Sequence, residues 1–240
     1  TRNNSISPDI IKIEGQVAGR KEITFPVNYP KRYFMLRLED AIKNNKIYYY
    51  NDFPLTKLSQ KNIYLVDKIS NPITKATEAV LKDSNNMVAE TVFKIAGGHY
   101  AKNTGSIENA TFMLDKDLCK LLLTTTDIKI VDGSGVSKNN IVTSDFMTSF
   151  LVAQNNFDEN YKNYLASAGE GTLKNRMLYF GDKIKAKTGT LSNVSAITGY
   201  LTTSSNNLLA FNIMITDAKT QNSEKKTIEE YILRELYLRY

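Results

Sequence analysis

The sequence predicts an α+β fold, an antiparallel sheet flanked by helices. Three observations carry the prediction. Short runs rich in Ile, Val, Tyr and Thr, bounded by Gly, Asn or Ser, occur near both ends of the chain. Runs with apolar residues at helical spacing fill the middle. The order is mixed strands and helices, then helices, then a meander of strands and a closing helix.

In chain order, residues Ile10–Gly15 and Lys21–Val27 read as two short strands around a glycine-containing turn. Pro30–Ile42 reads as a helix with Pro30 near its start, ended by Asn44-Asn45-Lys46. Ile47–Tyr50 and Asn62–Asp67 read as strands. Pro72–Lys82 is a helix that stops just before Ser84. A second helix runs from Asn86 to Ala96 and is expected to end at Gly97-Gly98. Thr111–Leu123 is helical. Asp127–Val131 is a short strand that enters the turn Asp132-Gly133-Ser134-Gly135. Thr143–Gln154 is helical, capped by Thr143 or Ser144. Gly181–Thr190, Ser195–Thr203 and Asn207–Thr216 form three strands, the last two joined as a hairpin by Ser204-Ser205-Asn206. Ser223–Tyr240 closes the chain as a helix with Ile228, Tyr231, Ile232, Glu235 and Leu236 in phase.

The hydrophobic share of 42% suits a folded domain. No segment is long and apolar enough for a transmembrane helix. The start at Thr1 has no initiator Met and no apolar leader, as in a mature or trimmed chain. The net charge of +6 would suit an anionic polymer. Nucleic acid is not the expected partner, because no basic run is interleaved with aromatics. The single Cys119 can form no internal disulfide and is expected to be a buried thiol on an apolar helix face. The single His99 rules out a multi-histidine metal site and is expected in a loop after Gly97-Gly98.

Two short motifs carry chemistry. Ser84-Asn85-Asn86 places a hydroxyl and an amide two residues apart in a loop between helices. Ser84 can shuttle a proton, and Asn86 can hydrogen-bond both a lysine and a substrate amide. Taken alone, Ser84 reads first as the N-cap of the next helix. Lys187-Thr188-Gly189 lies on an expected strand. Lys187 offers a point charge, Thr188 a hydroxyl, and Gly189 removes a side chain so that a substrate backbone can lie alongside. Thr190 can offer its N–H to an oxyanion. Taken alone, this tripeptide also reads as a strand with a glycine bulge.

The two motifs arrive in one order with Asp132-Gly133-Ser134-Gly135, and with Gly169-Glu170-Gly171-Thr172-Leu173 followed by Arg176. That order resembles the class C low-molecular-mass penicillin-binding proteins, the periplasmic D-alanyl-D-alanine carboxypeptidase/endopeptidases. The resemblance runs from about Ile10 to the C-terminus and rests on the second and third elements of the S-x-x-K, S-x-N and K-T-G set. It implies a penicillin-binding or β-lactamase-like transpeptidase fold, incomplete in its N-terminal part. Residues 1–70 would be the end of an accessory domain and residues 71–240 the later portion of the peptidase domain. Ser84, Asn86 and Lys187 would be catalytic. Thr188, Gly189, Thr190, Lys138 and Ser192 would meet substrate, with Lys138 standing where the family commonly has an arginine. The Asp132–Gly135 turn would be structural, and Arg176 either a substrate clamp or a surface salt bridge. No metal or cofactor is implied. The partners would be a peptidoglycan stem peptide and, together with the missing N-terminal part, β-lactam antibiotics. The setting would be the periplasm or cell envelope, after export.

The nucleophile motif is the departure. S-x-x-K occurs only as Ser223-Glu224-Lys225-Lys226, after the K-T-G strand rather than before it. The resemblance therefore implies a chain that carries part of the site and is inactive alone. The alternative is a non-catalytic penicillin-binding-like module that binds peptidoglycan or a protein partner.

Overall fold

The computed structural model describes residues 16, 18–20, 22, 27–48 and 70–240. The chain divides into two compact units, Thr1–Asp67 and Lys68–Tyr240. In the first unit the expected helix forms as α1 (Pro30–Asn44), with proline in its first turn where the missing N–H costs nothing. Asn45 ends it by donating its side-chain amide to the Ala41 carbonyl at 2.8 Å. The strands expected at Ile10–Gly15 and Asn62–Asp67, and most of Lys21–Val27, lie outside the described residues. Of Ile47–Tyr50 only Ile47 and Tyr48 are described, and they are not in a strand.

The second unit holds α2 (Ile73–Leu81), α3 (Asn86–Ala101), α4 (Ile107–Lys120) and α5 (Ser144–Phe157). These precede β1 (Ala166–Ser167), β2 (Ile184–Thr190), β3 (Val194–Thr202), β4 (Leu208–Thr216) and α6 (Asn222–Arg239). Among the described residues the sheet is four-stranded and antiparallel throughout, in the order β1-β2-β3-β4. The expected antiparallel sheet with helices around it is therefore present.

Alternation along the strands gives the sheet two different faces. Ile184, Ala186, Ile197, Leu201 and Phe211 form an apolar core with Leu173, Phe180 and, from α6, Leu233. The opposite face carries Lys185, Lys187 and Tyr200. There Tyr200 packs with Leu151 of α5, Leu165 and Leu81, and its hydroxyl donates to the Leu151 carbonyl at 2.7 Å. Burial pushes the Tyr200 phenol far above its usual range. Lys185 and Lys187 thus sit on the face opposite the apolar core that anchors the strand.

Several expectations need correction. The helix expected to stop at Gly97-Gly98 continues through both to Ala101 and takes the exposed His99 with it. A Cβ on Gly97 would lie 2.4 Å from the Ala110 nitrogen, so Gly97 lets α3 and α4 approach, and one on Gly98 would lie 2.7 Å from the Gly105 nitrogen, so Gly98 makes room for the loop between them. That packing overrides their poor helix propensity. The strand expected at Asp127–Val131 is reduced to one bridge, Lys129 with Ile141. The Asn140 side chain takes the Val131 N–H at 2.8 Å and replaces a ladder partner. The first part of the expected Gly181–Thr190 strand is a 3-10 segment, Leu178–Lys183, kinked at Gly181. Cys119 is exposed on α4 rather than buried.

The closing helix has the expected span but a different inner face. Lys225, Glu229 and Leu233 are buried, and Leu236 and Tyr237 pack on the core, while Ile228, Tyr231 and Ile232 are exposed. The period is kept and the phase is rotated by about one residue, or roughly 100°. Polar partners account for it. Glu229, 0% exposed, accepts from Arg176 at 2.7 Å, with Arg176 only 17% exposed. The Lys225 ammonium donates to the carbonyls of Asn193, at 2.8 Å, and Asp217. Arg176 is thus an internal tie between the segment before β2 and the helix behind it.

Removing one partner of such a pair leaves a buried charge uncompensated. Arg176→Ala should lower the unfolding free energy by about 3–5 kcal/mol in urea titrations. Cys119→Ser, at an exposed site, should change it by less than about 0.5 kcal/mol.

Candidate active site

The loop between α2 and α3 is built by backbone first. Ser84 adopts a left-handed conformation at φ 57°, and the Asn85 N–H returns to the Ala79 carbonyl at 2.9 Å. That closure ends α2. Asn85, not Ser84, then caps α3, because its side chain accepts from the Val88 N–H at 3.1 Å. The reading of Ser84 as an N-cap is therefore incorrect, and its hydroxyl is left available for another partner. Asn86 begins α3, exposed, with no side-chain hydrogen bond among the described residues.

The partner of Ser84 is Lys187. Its ammonium donates to the Ser84 hydroxyl at 2.6 Å and to the Thr188 carbonyl at 2.6 Å. Two motifs a hundred and three residues apart thus meet in one hydrogen bond. Burial pushes the Lys187 ammonium below the ordinary lysine range, since a desolvated ammonium is penalised.

β1 pairs with β2 only at Ala166–Ala186 and Ser167–Lys185. From Lys187 to Thr190, β2 is paired with β3 alone among the described residues, so its other edge is open to an extended chain. Thr188, Gly189 and Thr190 lie along that edge, with Gly189 and Thr190 exposed. The pairing runs regularly through Gly189–Ala196, which excludes a glycine bulge. A Cβ at Gly189 would meet only the Ala196 methyl, at an ordinary 3.7 Å. Packing within the protein therefore does not demand this glycine.

Two loops brace the motifs. Asp132 accepts from the N–H groups of Ser137, at 2.7 Å, and Gly135, at 2.5 Å, and from the Asn140 amide at 3.1 Å. Burial works against its charge, but these donors hold the Asp132 carboxyl below the usual range. The Gly133 N–H donates to Glu90 of α3 at 2.7 Å. The Asp132–Gly135 turn is thereby fastened to the helix that Asn86 begins. Beyond β2, the Leu191 carbonyl accepts from the Asn222 amide at 3.0 Å and the Asn193 carbonyl from Lys225. Ser192, exposed between them, follows the K-T-G edge directly. Lys138 is exposed in the loop after the turn, with no hydrogen bond or ion pair to Ser84, Asn86 or Lys187. The S-x-x-K lookalike is elsewhere in role, since Lys225 anchors the Leu191–Asn193 loop from behind. Sequence reading missed that anchor and the Asn85 cap. The distance of Asn193 and Asp217 from Lys225 along the chain gives no local signal.

The polar sheet face thus carries a lysine that holds a serine from the loop between two helices, and the similarities of the chain put it in the class of low-molecular-mass penicillin-binding proteins. The model of the D-Ala-D-Ala carboxypeptidase 3 (S13) family matches residues 2–235, and the chain belongs to that family. It is 26% identical over 197 residues to D-alanyl-D-alanine carboxypeptidase DacB of Haemophilus influenzae, covering 76% of this chain and 41% of that protein. It is 30% identical over 176 residues to the D-alanyl-D-alanine carboxypeptidase of Actinomadura sp. (strain R39), covering 68% of this chain and 32% of that one. The crystal structure of penicillin binding protein 4 (dacB) from Haemophilus influenzae with a β-lactam superposes with a TM-score of 0.76. That match is 24% identical and covers 89% of this chain and 52% of the other, so it speaks for the fold. The chain spans less than half the length of the two curated relatives.

The depressed Lys187 has a signed consequence for stability. The folded state holds its proton less tightly than the unfolded state, so the group's contribution is most favourable above the unfolded lysine value. It is lost as pH falls through the lower folded value. The stability difference between Lys187→Met and the parent should therefore shift in the parent's favour as pH rises toward the ordinary lysine range. Paired urea titrations between neutral and alkaline pH measure it.

Proposed function

We propose that this chain supplies the S-x-N and K-T-G part of a serine-type D-Ala-D-Ala carboxypeptidase or endopeptidase. The substrate would be a peptidoglycan stem peptide, cleaved through an acyl-enzyme whose nucleophilic serine lies outside these 240 residues. The observation that carries the reading is the 2.6 Å hydrogen bond between Lys187 and Ser84 beside an open strand edge. The serine attack on the D-Ala carbonyl requires a proton to leave the nucleophile and reach the departing amine. Ser84, held by Lys187, is suited to relay it. Asn86 is free to meet the substrate amide. The β2 edge would seat the substrate backbone, Thr188 would face its terminal carboxylate, and the Thr190 N–H would face the oxyanion.

Lys138 and Ser192 are proposed as outer contacts for the stem peptide, each exposed and each near one end of the motif set. The setting proposed is the cell envelope, because the substrate is assembled outside the cytoplasmic membrane. Among the described residues no helix is long and apolar enough to cross a membrane. β-Lactams would bind where the nucleophile is present.

Incubated with a fluorescent penicillin, the 240-residue chain should form no covalent adduct on a denaturing gel. An adduct would overturn the placement of the nucleophile outside it. Joined to an upstream S-x-x-K segment of its own family, the protein should be labelled, and Ser84→Ala should slow acylation by about 10²-fold or more.

A further inference from the structure

Ser84 and Lys187 come from a helix loop and a strand, and one short segment touches both supports. Ser167 of β1 pairs with Lys185, and the Lys185 ammonium donates to the Ser167 hydroxyl at 2.6 Å. The Ser167 N–H donates to Glu170 at 3.3 Å, and the same carboxylate oxygen lies 3.6 Å from the Lys82 ammonium. The Thr172 N–H donates to the Lys82 carbonyl at 3.0 Å. At Gly171 the backbones are so close that a Cβ would lie 2.3 Å from the Lys82 oxygen. Leu173, 0% exposed, fixes the far end of the segment in the apolar core.

The register of these ties is informative. Lys185 precedes Lys187 by two residues, on the same strand face. Lys82 precedes Ser84 by two residues, at the turn out of α2. The segment therefore grips each arm of the site at the same remove from its functional group. We infer that Ser167–Thr172 is a positioning clamp that sets the Ser84–Lys187 distance, with Ser167 and Glu170 as its positioning residues. The inference rests on the reading of Ser84 and Lys187 as a working pair.

Glu170 is itself held within the segment. The Ser167 N–H, together with Lys82 and Lys185, holds its carboxyl below the usual range despite some burial. Among the described residues, the side chain that meets Lys187 is that of Ser84. Ser167 is only 8% exposed, so its hydroxyl is committed to Lys185 within the fold.

A thiol at position 84 reports the distance. In the Cys119→Ser background, Ser84→Cys provides the only thiol, and a nearby ammonium lowers a thiol's titration point. The pH profile of its alkylation by iodoacetamide should have a midpoint about one unit below the ordinary cysteine value near 8.5. Adding Lys187→Met should return it to the ordinary value. Ser167→Ala, which changes no charge, should raise the midpoint by at least about half a unit, and Glu170→Gln should raise it even though the lost negative charge alone would lower it, with secondary structure by circular dichroism unchanged. If Glu170→Gln fails to fold, Ser167→Ala decides. A low midpoint that neither substitution moves would overturn the clamp and leave the Ser84–Lys187 pair standing. An ordinary midpoint before either substitution would overturn the pair itself, and the clamp with it.

Discussion

The hydrogen bond from Lys187 to Ser84 is the constraint on which the rest of this structure depends. An ammonium drawn out of water must be met by acceptors, and a strand can offer only what its neighbours bring to it. Here one acceptor is the next carbonyl of the same strand and the other is a hydroxyl from a distant loop. Ser84 can accept only because its own loop is satisfied without it. Asn85 caps α3, and the left-handed turn at Ser84 lets the Asn85 N–H close α2. A serine that capped its helix would have its oxygen committed to a backbone N–H.

The sheet separates two kinds of work. On one face, aliphatic and aromatic side chains of β2, β3 and β4 pack against α6 and give the strands a fixed plane. On the other, lysines at alternate positions of β2 each meet a serine hydroxyl at 2.6 Å. Such polar contacts are strongly directional, so they hold their geometry only where the strand beneath them cannot rotate. The buried polar groups of α6 extend the same logic. Lys225 secures the loop that leaves the K-T-G edge, and Glu229 with Arg176 ties the approach to β2 against the closing helix.

What the sequence made legible follows from what is local. The presence and order of the described helices, the β3–β4 hairpin and the antiparallel meander were readable because periodicity and turn residues act within a few positions, whereas α4 starts at Ile107 and ends at Lys120 rather than running from Thr111 to Leu123. The two motifs were readable because each is contiguous. What failed was decided by contacts far along the chain. Gly97 and Gly98 look like a helix stop until the approach of Ala110 is known. The inner face of α6 looks apolar by phase, yet Arg176 and the carbonyls of Asn193 and Asp217 select Glu229 and Lys225 instead. Cys119 sits among leucines in sequence and in solvent in the fold. The N-cap was misplaced by one residue, which is within the reach of local reasoning but beyond what composition alone decides between Ser84 and Asn85.

Two S-x-x-K-like or lysine–serine arrangements in this chain show why spacing and chemistry must be weighed apart. Ser223-Glu224-Lys225-Lys226 has the spacing of a nucleophile motif, but Lys225 is 0% exposed and its ammonium is committed to backbone carbonyls behind the sheet. Lys187 and Ser84 have no spacing that a motif search would join, yet they meet in one hydrogen bond of 2.6 Å. Geometry separates the two lysines, because one reaches a hydroxyl beside an unpaired strand edge and the other reaches only backbone carbonyls. The side of β2 beyond β1 supplies the first setting, and the apolar face under α6 supplies the second.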